Sequence, residues 1–166
     1  MVSERRRSEM VRALTADDRD RPTASGDRPG DVAVADLAAL MLEAYRGSVD
    51  DEGETFDDAL AAVEALLAGE FGRVDDEASI VVRDEGQVVA ATIVSHPGDR
   101  PLVAFSMTHP SAVRRGHARL GLRHAIGVLA RAGWSEVWLV VTDANDRAVP
   151  LYRSEGFERV TRPGGR

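Results

Sequence analysis

Residues 108–120, "THPSAVRRGHARL", gather three arginines around a glycine and an alanine just ahead of an apolar-periodic run. That run, "RLGLRHAIGVLARAG" (119–133), sets Leu122, Ile126, Leu129 and Ala132 on one stripe, and Gly133 supplies a stop. It predicts an amphipathic helix beginning near Ala118. Ahead of the loop, "PLVAFSMTHP" (101–110) predicts a strand closed by Pro110. The first N–H groups of a helix lack intrahelical partners, and the helix dipole leaves that end partly positive. A loop whose N–H groups converge there binds phosphate. Gly116 would let the main chain approach an anion and adopt dihedrals that a side chain resists, and Ala118 is small for the same reason. Arg114, Arg115 and Arg119 add positive charge. An ordinary turn with solvated arginines would read the same way from these residues alone. A dinucleotide fingerprint is excluded, because G-x-G-x-x-G is absent.

Working outward, "SEVWLVVTD" (135–143) is apolar enough to predict a strand covered on both faces. A short helix, "DRAVPLYRSEG" (146–156), and a last strand, "FERVTR" (157–162), follow. Upstream, "VAVADLAALMLEAYRG" (32–47) and "FDDALAAVEALLAGEFG" (56–72) predict two helices around the acidic loop "SVDDEGET" (48–55). Residues 78–99 read as a hairpin turning at Asp84-Glu85-Gly86. Residues 17–31 hold little to bury and are expected to be disordered or a loose loop, with Met10–Leu14 as a short edge strand. The division expected is an N-terminal segment 1–31 and a domain 32–166. Antiparallel strands followed by a β-α-β crossover give an α/β (α+β) class with a mixed sheet.

Composition narrows the chemistry. The 166 residues contain no cysteine, which removes disulfides, thiolate metal sites and a cysteine nucleophile. All 21 basic residues are arginine, so Schiff-base catalysis and a Walker-type lysine are also out. Net charge is zero over 1–31, −12 over 32–98 and +5 over 99–166. A chain of net −7 with 5% aromatics is a poor nucleic-acid binder. An acidic half beside a basic half points to two ligands of opposite sign. No apolar run approaches the roughly 20 residues of a membrane span, and MVSERRRSEM lacks the apolar stretch of a secretory signal. A cytoplasmic protein without membrane contact is expected.

A second block, "NDRAVPLYRSEGF" (145–157), carries Asn145, Ala148, Leu151, Tyr152, Gly156 and Phe157. Together with 108–118 it resembles the GNAT family of N-acetyltransferases, whose signature is a strand, a [Q/R]-x-x-G-x-[G/A] loop, a helix, a strand and N-x-x-A-x-x-L-Y-x-x-x-G-F. The resemblance is specific over about 100–158 and looser over 32–99. Val113 departs from the usual Gln or Arg, and Thr108 from a frequent Val; a loop acting mostly through main-chain N–H groups is expected to tolerate Val113.

The resemblance implies a mixed, mostly antiparallel twisted sheet with helices on both faces, and acetyl-CoA as co-substrate. Its pyrophosphate would sit on Val113, Arg114, Arg115, Gly116, His117 and Ala118. Met107 and Thr108 would pair with the pantetheine arm, and Asn145 would bond it from the other side. Arg119, Arg123 and Arg147 are further phosphate candidates. An amine would attack the thioester directly, with an oxyanion donor near Thr108. Tyr152 is the candidate acid for the leaving thiolate. The ammonium must first lose a proton; His96, His109 or a water relay are the options, and the base is left unassigned. Asp50, Asp51, Glu52 or Glu54 would attract a cationic acceptor, with Asp50 and Glu54 foremost; a solubilising loop would look alike. No metal is expected, and a homodimer is left open. The competing function is an acyl-CoA-binding regulatory module without turnover, against which the retained Asn145 and Tyr152 argue.

Overall fold

The computed structural model describes residues 5–161. Among these residues seven strands form one sheet in the order β2-β4-β5-β6-β1-β7, with β3 sharing the outer edge of β4 with β2. They are β1 (Arg7–Ala13), β2 (Arg73–Val74), β3 (Ile80–Asp84), β4 (Gln87–His96), β5 (Leu102–Thr108), β6 (Glu136–Thr142) and β7 (Glu158–Arg159). Every pairing is antiparallel except β5 with β6. The helices are α1 (Val34–Tyr45), α2 (Phe56–Leu67), α3 (His117–Arg131) and α4 (Ala148–Ser154).

Two apolar cores lie in this fold. Leu37, Leu40 and Met41 of α1 and Val63 and Leu66 of α2 meet Ala91, Ile93 and Met107 of the sheet. Leu122, Ile126 and Leu129 of α3, with Val149 and Tyr152 of α4, meet Met10, Val137, Leu139 and Phe157. The stripe read on α3 is thus its buried face. Gly121 brings α3 against β4: a Cβ there would lie 1.9 Å from Thr92 Oγ1.

Three expectations are corrected. Arg7–Ala13 is an inner strand, not an edge, pairing with the whole of β6 on one side and with β7 on the other. Its alternate buried position, Met10, shows 0% exposure. Residues 17–31 are tied down instead of loose. Ala16–Asp20 and Pro29–Asp31 form 3-10 turns, and Asp27 bridges Val81 of β3. Asp18 is buried and receives Arg12 at 2.6 Å and Arg21 at 2.8 Å. Burial alone would raise its carboxyl, but Arg12, the Thr15 amide and Arg21 outweigh that and hold it far below the usual range. The sparse apolar content misled because ion pairs, not apolar side chains, seat this segment. Finally, β6 is not covered on both faces: Val140 is 51% exposed.

Candidate active site

Strands β5 and β6 are parallel neighbours that pair at one position only, Leu102 with Trp138. Beyond it β5 continues to Thr108 and β6 to Thr142 without a further rung between them. The outer edges of both are already taken, β5 by β4 and β6 by β1. The inner edges therefore expose main-chain donors and acceptors that a sheet would normally pair. A cavity of about 790 Å³ opens here, lined by residues 102–106 of β5, Leu139–Thr142 of β6, Asn145, Ala148 and Tyr152, and by α1, α2 and the loop between them.

The register settles which groups face the gap. His109 donates to Val89 O at 2.7 Å, so 109↔89 is a hydrogen-bonded pair. In an antiparallel ladder such pairs recur every second residue. Met107↔Ala91 and Phe105↔Ile93 are accordingly bonded pairs, which turns the main chain of Ser106 and Thr108 toward β6. Of the two residues expected to offer main chain, Thr108 faces the gap. Met107 does not: its bonds are spent on β4 and its side chain is 2% exposed in the α1–α2 core. The pairing slips between Ile93 and Val94, leaving Ala104 as a bulge at the cavity wall.

At the end of β5, His109 caps a 3-10 turn (Pro110–Ala112) and buried Ala112 anchors the loop that follows. Arg114 (φ 65°) and Gly116 (φ 80°) are both left-handed, two residues apart. Such alternation is how consecutive N–H groups are turned to one side in anion-binding nests. Gly116 is the N-cap of α3 and offers no side-chain cap, so the first N–H groups of the helix remain as donors. A Cβ on Gly116 would meet open space, so its dihedral, not crowding, calls for glycine. Val113–Ala118 do not line the cavity; they stand beyond its β5 end.

The arginines divide. Arg115 reaches Asp84 of the β3–β4 turn at 3.0 Å. Arg119 and Arg123, expected as phosphate partners, are instead held by the buried Glu155. Their helix-surface position hid this, because the carboxylate arrives from the residue just past α4, more than thirty residues along.

Asn145 Oδ1 accepts from Ala148 N–H at 3.0 Å, which fixes the start of α4 and leaves the amide NH2 as its donor at the cavity wall. Tyr152 is 9% exposed and lines the same cavity. Burial raises its phenol; the Ser106 hydroxyl opposes this and Asp50 adds to it. Tyr45, not singled out from the sequence, lies in the same wall and is also raised, by burial and then by Tyr152 and Asp50. Its place at the end of α1, beside the acidic loop, was the available signal.

Asp50, Asp51, Glu52 and Glu54 all line the cavity. Asp51 accepts from the Gly47 and Gly53 amides at 2.7 and 2.9 Å, so its carboxylate shapes the loop. Glu52 pairs with Arg5 at 3.3 Å. Glu54 accepts from Glu52 N–H at 3.0 Å. Asp50 accepts from Thr142 Oγ1 of β6 at 2.6 Å, which pins the loop across the gap. Neither histidine weighed as a base reaches the cavity. His96 Nε2 meets Asp75 at 2.7 Å against Trp134, and half-buried His109 serves its own turn. Among the described residues no cluster of metal-ligating side chains occurs, and no helix is long and apolar enough to cross a membrane.

A family model described as Acetyltransferase (GNAT) family matches residues 36–157. No curated protein matches the chain by sequence. Among solved structures, a GCN5-related N-acetyltransferase from Sphaerobacter thermophilus superposes with TM-score 0.62 at 22% identity, over 93% of this chain and 49% of that one. The chain thus spans about half the length of that protein. The PaiA N-acetyltransferase from Thermoplasma acidophilum, solved with coenzyme A, gives TM-score 0.57 at 12% identity, over 95% and 94% of the two chains. Aminoglycoside N-acetyltransferase AAC(6')-Iy, also solved with CoA, gives 0.59 at 14%, over 99% and 97%. These likenesses are of fold. With residues 36–157 matched by that family model, the chain belongs to the GNAT acetyltransferase family.

Proposed function

We propose that the protein transfers the acetyl group of acetyl-CoA to a primary amine by direct attack in a ternary complex. The carrying observation is the parted pair of strands, which leaves facing unpaired main-chain edges that end at the loop of Gly116. Two neighbours of this fold were solved with CoA, which supports the same cofactor here. An extended amide-bearing arm would add to the edge at Ser106 and Thr108 as a strand does. Asn145 would donate from the β6 side. The phosphates would take the N–H groups from Val113 to Ala118 and the dipole of α3.

Attack on the thioester carbonyl forms an oxyanion, and main-chain N–H groups facing the gap are the available donors. Tyr152 would protonate the departing thiolate. A phenol raised by burial stays protonated through neutral pH, as an acid requires. Asp50, fixed by Thr142 beside both tyrosines, would receive the acceptor's ammonium, with Glu54 on the same wall. The base is open to Asp50 or to a water between it and the amine. Val140 and Phe71, exposed at 51% and 47% and both lining the cavity, would take an apolar portion of the acceptor.

The experiment is CoA release from acetyl-CoA across a panel of primary amines, with Tyr152→Phe and Asp50→Asn in parallel. Release that depends on amine, falls with Tyr152→Phe and shows a raised amine KM with Asp50→Asn supports the reading. Binding of acetyl-CoA without release for any amine supports a regulatory acyl-CoA-binding module, and no binding refutes both.

A further inference from the structure

Glu155 occupies a place that simple electrostatics disfavours. It follows the last turn of α4, where the helix dipole repels a carboxylate, and it is only 5% exposed. Arg119 Nη1 donates to one of its oxygens at 2.5 Å, and Arg123 Nε to both at 3.1 Å. Its main-chain carbonyl accepts from Arg12 Nε of β1 at 2.7 Å. Its own N–H returns to the carbonyls of Leu151 and Tyr152. One residue, three positions after Tyr152, therefore ties together α4, the first two turns of α3 and β1. Those turns of α3 directly follow the loop of Gly116.

We propose that Glu155 is a positioning residue: it clamps the end of α4 to the leading end of α3, setting the Tyr152 phenol relative to the phosphate loop. The proposal rests on the reading of Tyr152 as the proton donor. With seven residues, α4 is too short to hold its own conformation and must be fixed by its contacts. Val149 and Tyr152 anchor one side of it in the core, and the Glu155 cluster fixes its far end. Buried ion pairs add little net stability over apolar replacements, and their best-attested use is to fix register. Removing this carboxylate should also free two guanidinium groups near the phosphate loop, so a change at Glu155 is expected to disturb Tyr152 without weakening cofactor binding.

The chain has two tyrosines, so 13C-tyrosine labelling gives two ring signals, assigned with Tyr45→Phe. In Glu155→Gln the Tyr152 signal should shift and its titration should move down toward about 10 as the ring loosens, and Tyr45, coupled to it, should follow by less. CoA affinity by calorimetry should stay within about threefold or tighten, and kcat with the best amine should fall about tenfold or more. Glu155→Asp should recover part of both effects. Should Glu155→Gln fail to fold, Arg123→Gln removes one clamp from a half-exposed side chain and should give the same changes, smaller. A lowered melting temperature with an unmoved Tyr152 signal would make Glu155 a structural residue only and overturn the proposal. So would a tenfold loss of CoA affinity with Tyr152 unmoved, since the arginines would then serve the phosphates directly. If the parent binds no CoA, the functional reading fails, while the Tyr152 signal still decides the clamp.

Discussion

Replacing Gly121 by alanine sets two known effects against each other. Inside a helix alanine is favoured over glycine by about 1 kcal/mol, so α3 considered alone should gain. At this position, however, the new methyl would lie 1.9 Å from Thr92 Oγ1 and 2.7 Å from Thr92 Cβ. Thr92 is 2% exposed on β4, between β3 and β5, and its β-branched side chain has few rotamers. Rotation exchanges Oγ1 for Cγ2 and leaves Cβ where it is, so the helix must lift. Overpacking of this kind costs about 1–3 kcal/mol, and the close Cβ contact places the cost in the upper half of that range. The net expectation is a loss of about 1–2 kcal/mol, read as a lower urea midpoint at unchanged m. Because α3 leads from the phosphate loop, CoA affinity should fall with it. Adding Thr92→Ala removes Oγ1 and should restore part of both losses, a coupling of at least about 0.5 kcal/mol in the double-mutant cycle. A Gly121→Ala protein as stable as the parent, or more so, would refute the close seating of α3 on β4.

Further tests address the loop, the acid and the N-terminal ion cluster. Arg114→Gly should raise stability by about 1 kcal/mol, because arginine holds a φ of 65° there, with little effect on CoA affinity; Gly116→Val should abolish CoA binding. Tyr152→Phe should lower kcat about 10²- to 10⁴-fold while the KM for acetyl-CoA stays constant. In the parent, the alkaline limb of kcat should lie above the ordinary phenol value of about 10, because burial raises this group, and the limb should vanish in the variant. Asp18 titrates lower in the folded chain than its unfolded value of about 3.9, so its contribution is present above that pH and drains away as the pH falls. Asp18→Asn should cost about 1–3 kcal/mol at pH 7 because Arg12 and Arg21 lose their shared carboxylate, and the gap from the parent should narrow on acid titration.

Much of the fold was legible locally. The stripes of α1, α2 and α3, the turn at Glu85-Gly86 and the run of β6 each follow from side-chain period and turn chemistry, which neighbouring residues suffice to state. The inner place of β1 did not follow: a seven-residue strand reads the same at an edge or a centre, and partners more than a hundred positions away decide which. The segment 17–31 was misread because its order comes from Asp18 between two arginines, Ala24 on His124 and Asp27 on Val81. No apolar periodicity records such contacts.

The sequence by itself determined that Gly116 would lead into α3 and that Tyr152 would lie on the short helix α4, because a helix N-terminus and a short helical run are local features. Only the tertiary structure decided that β5 and β6 part after a single rung, that Ser106 and not Met107 offers main chain to the gap, and that Asp50 is pinned across it. It also paired Arg119 and Arg123 with the buried Glu155. The physical reason is common to these cases. Strand divergence, ladder parity and the sharing of a buried charge are set by where distant segments meet, and one-dimensional spacing carries no distance between them.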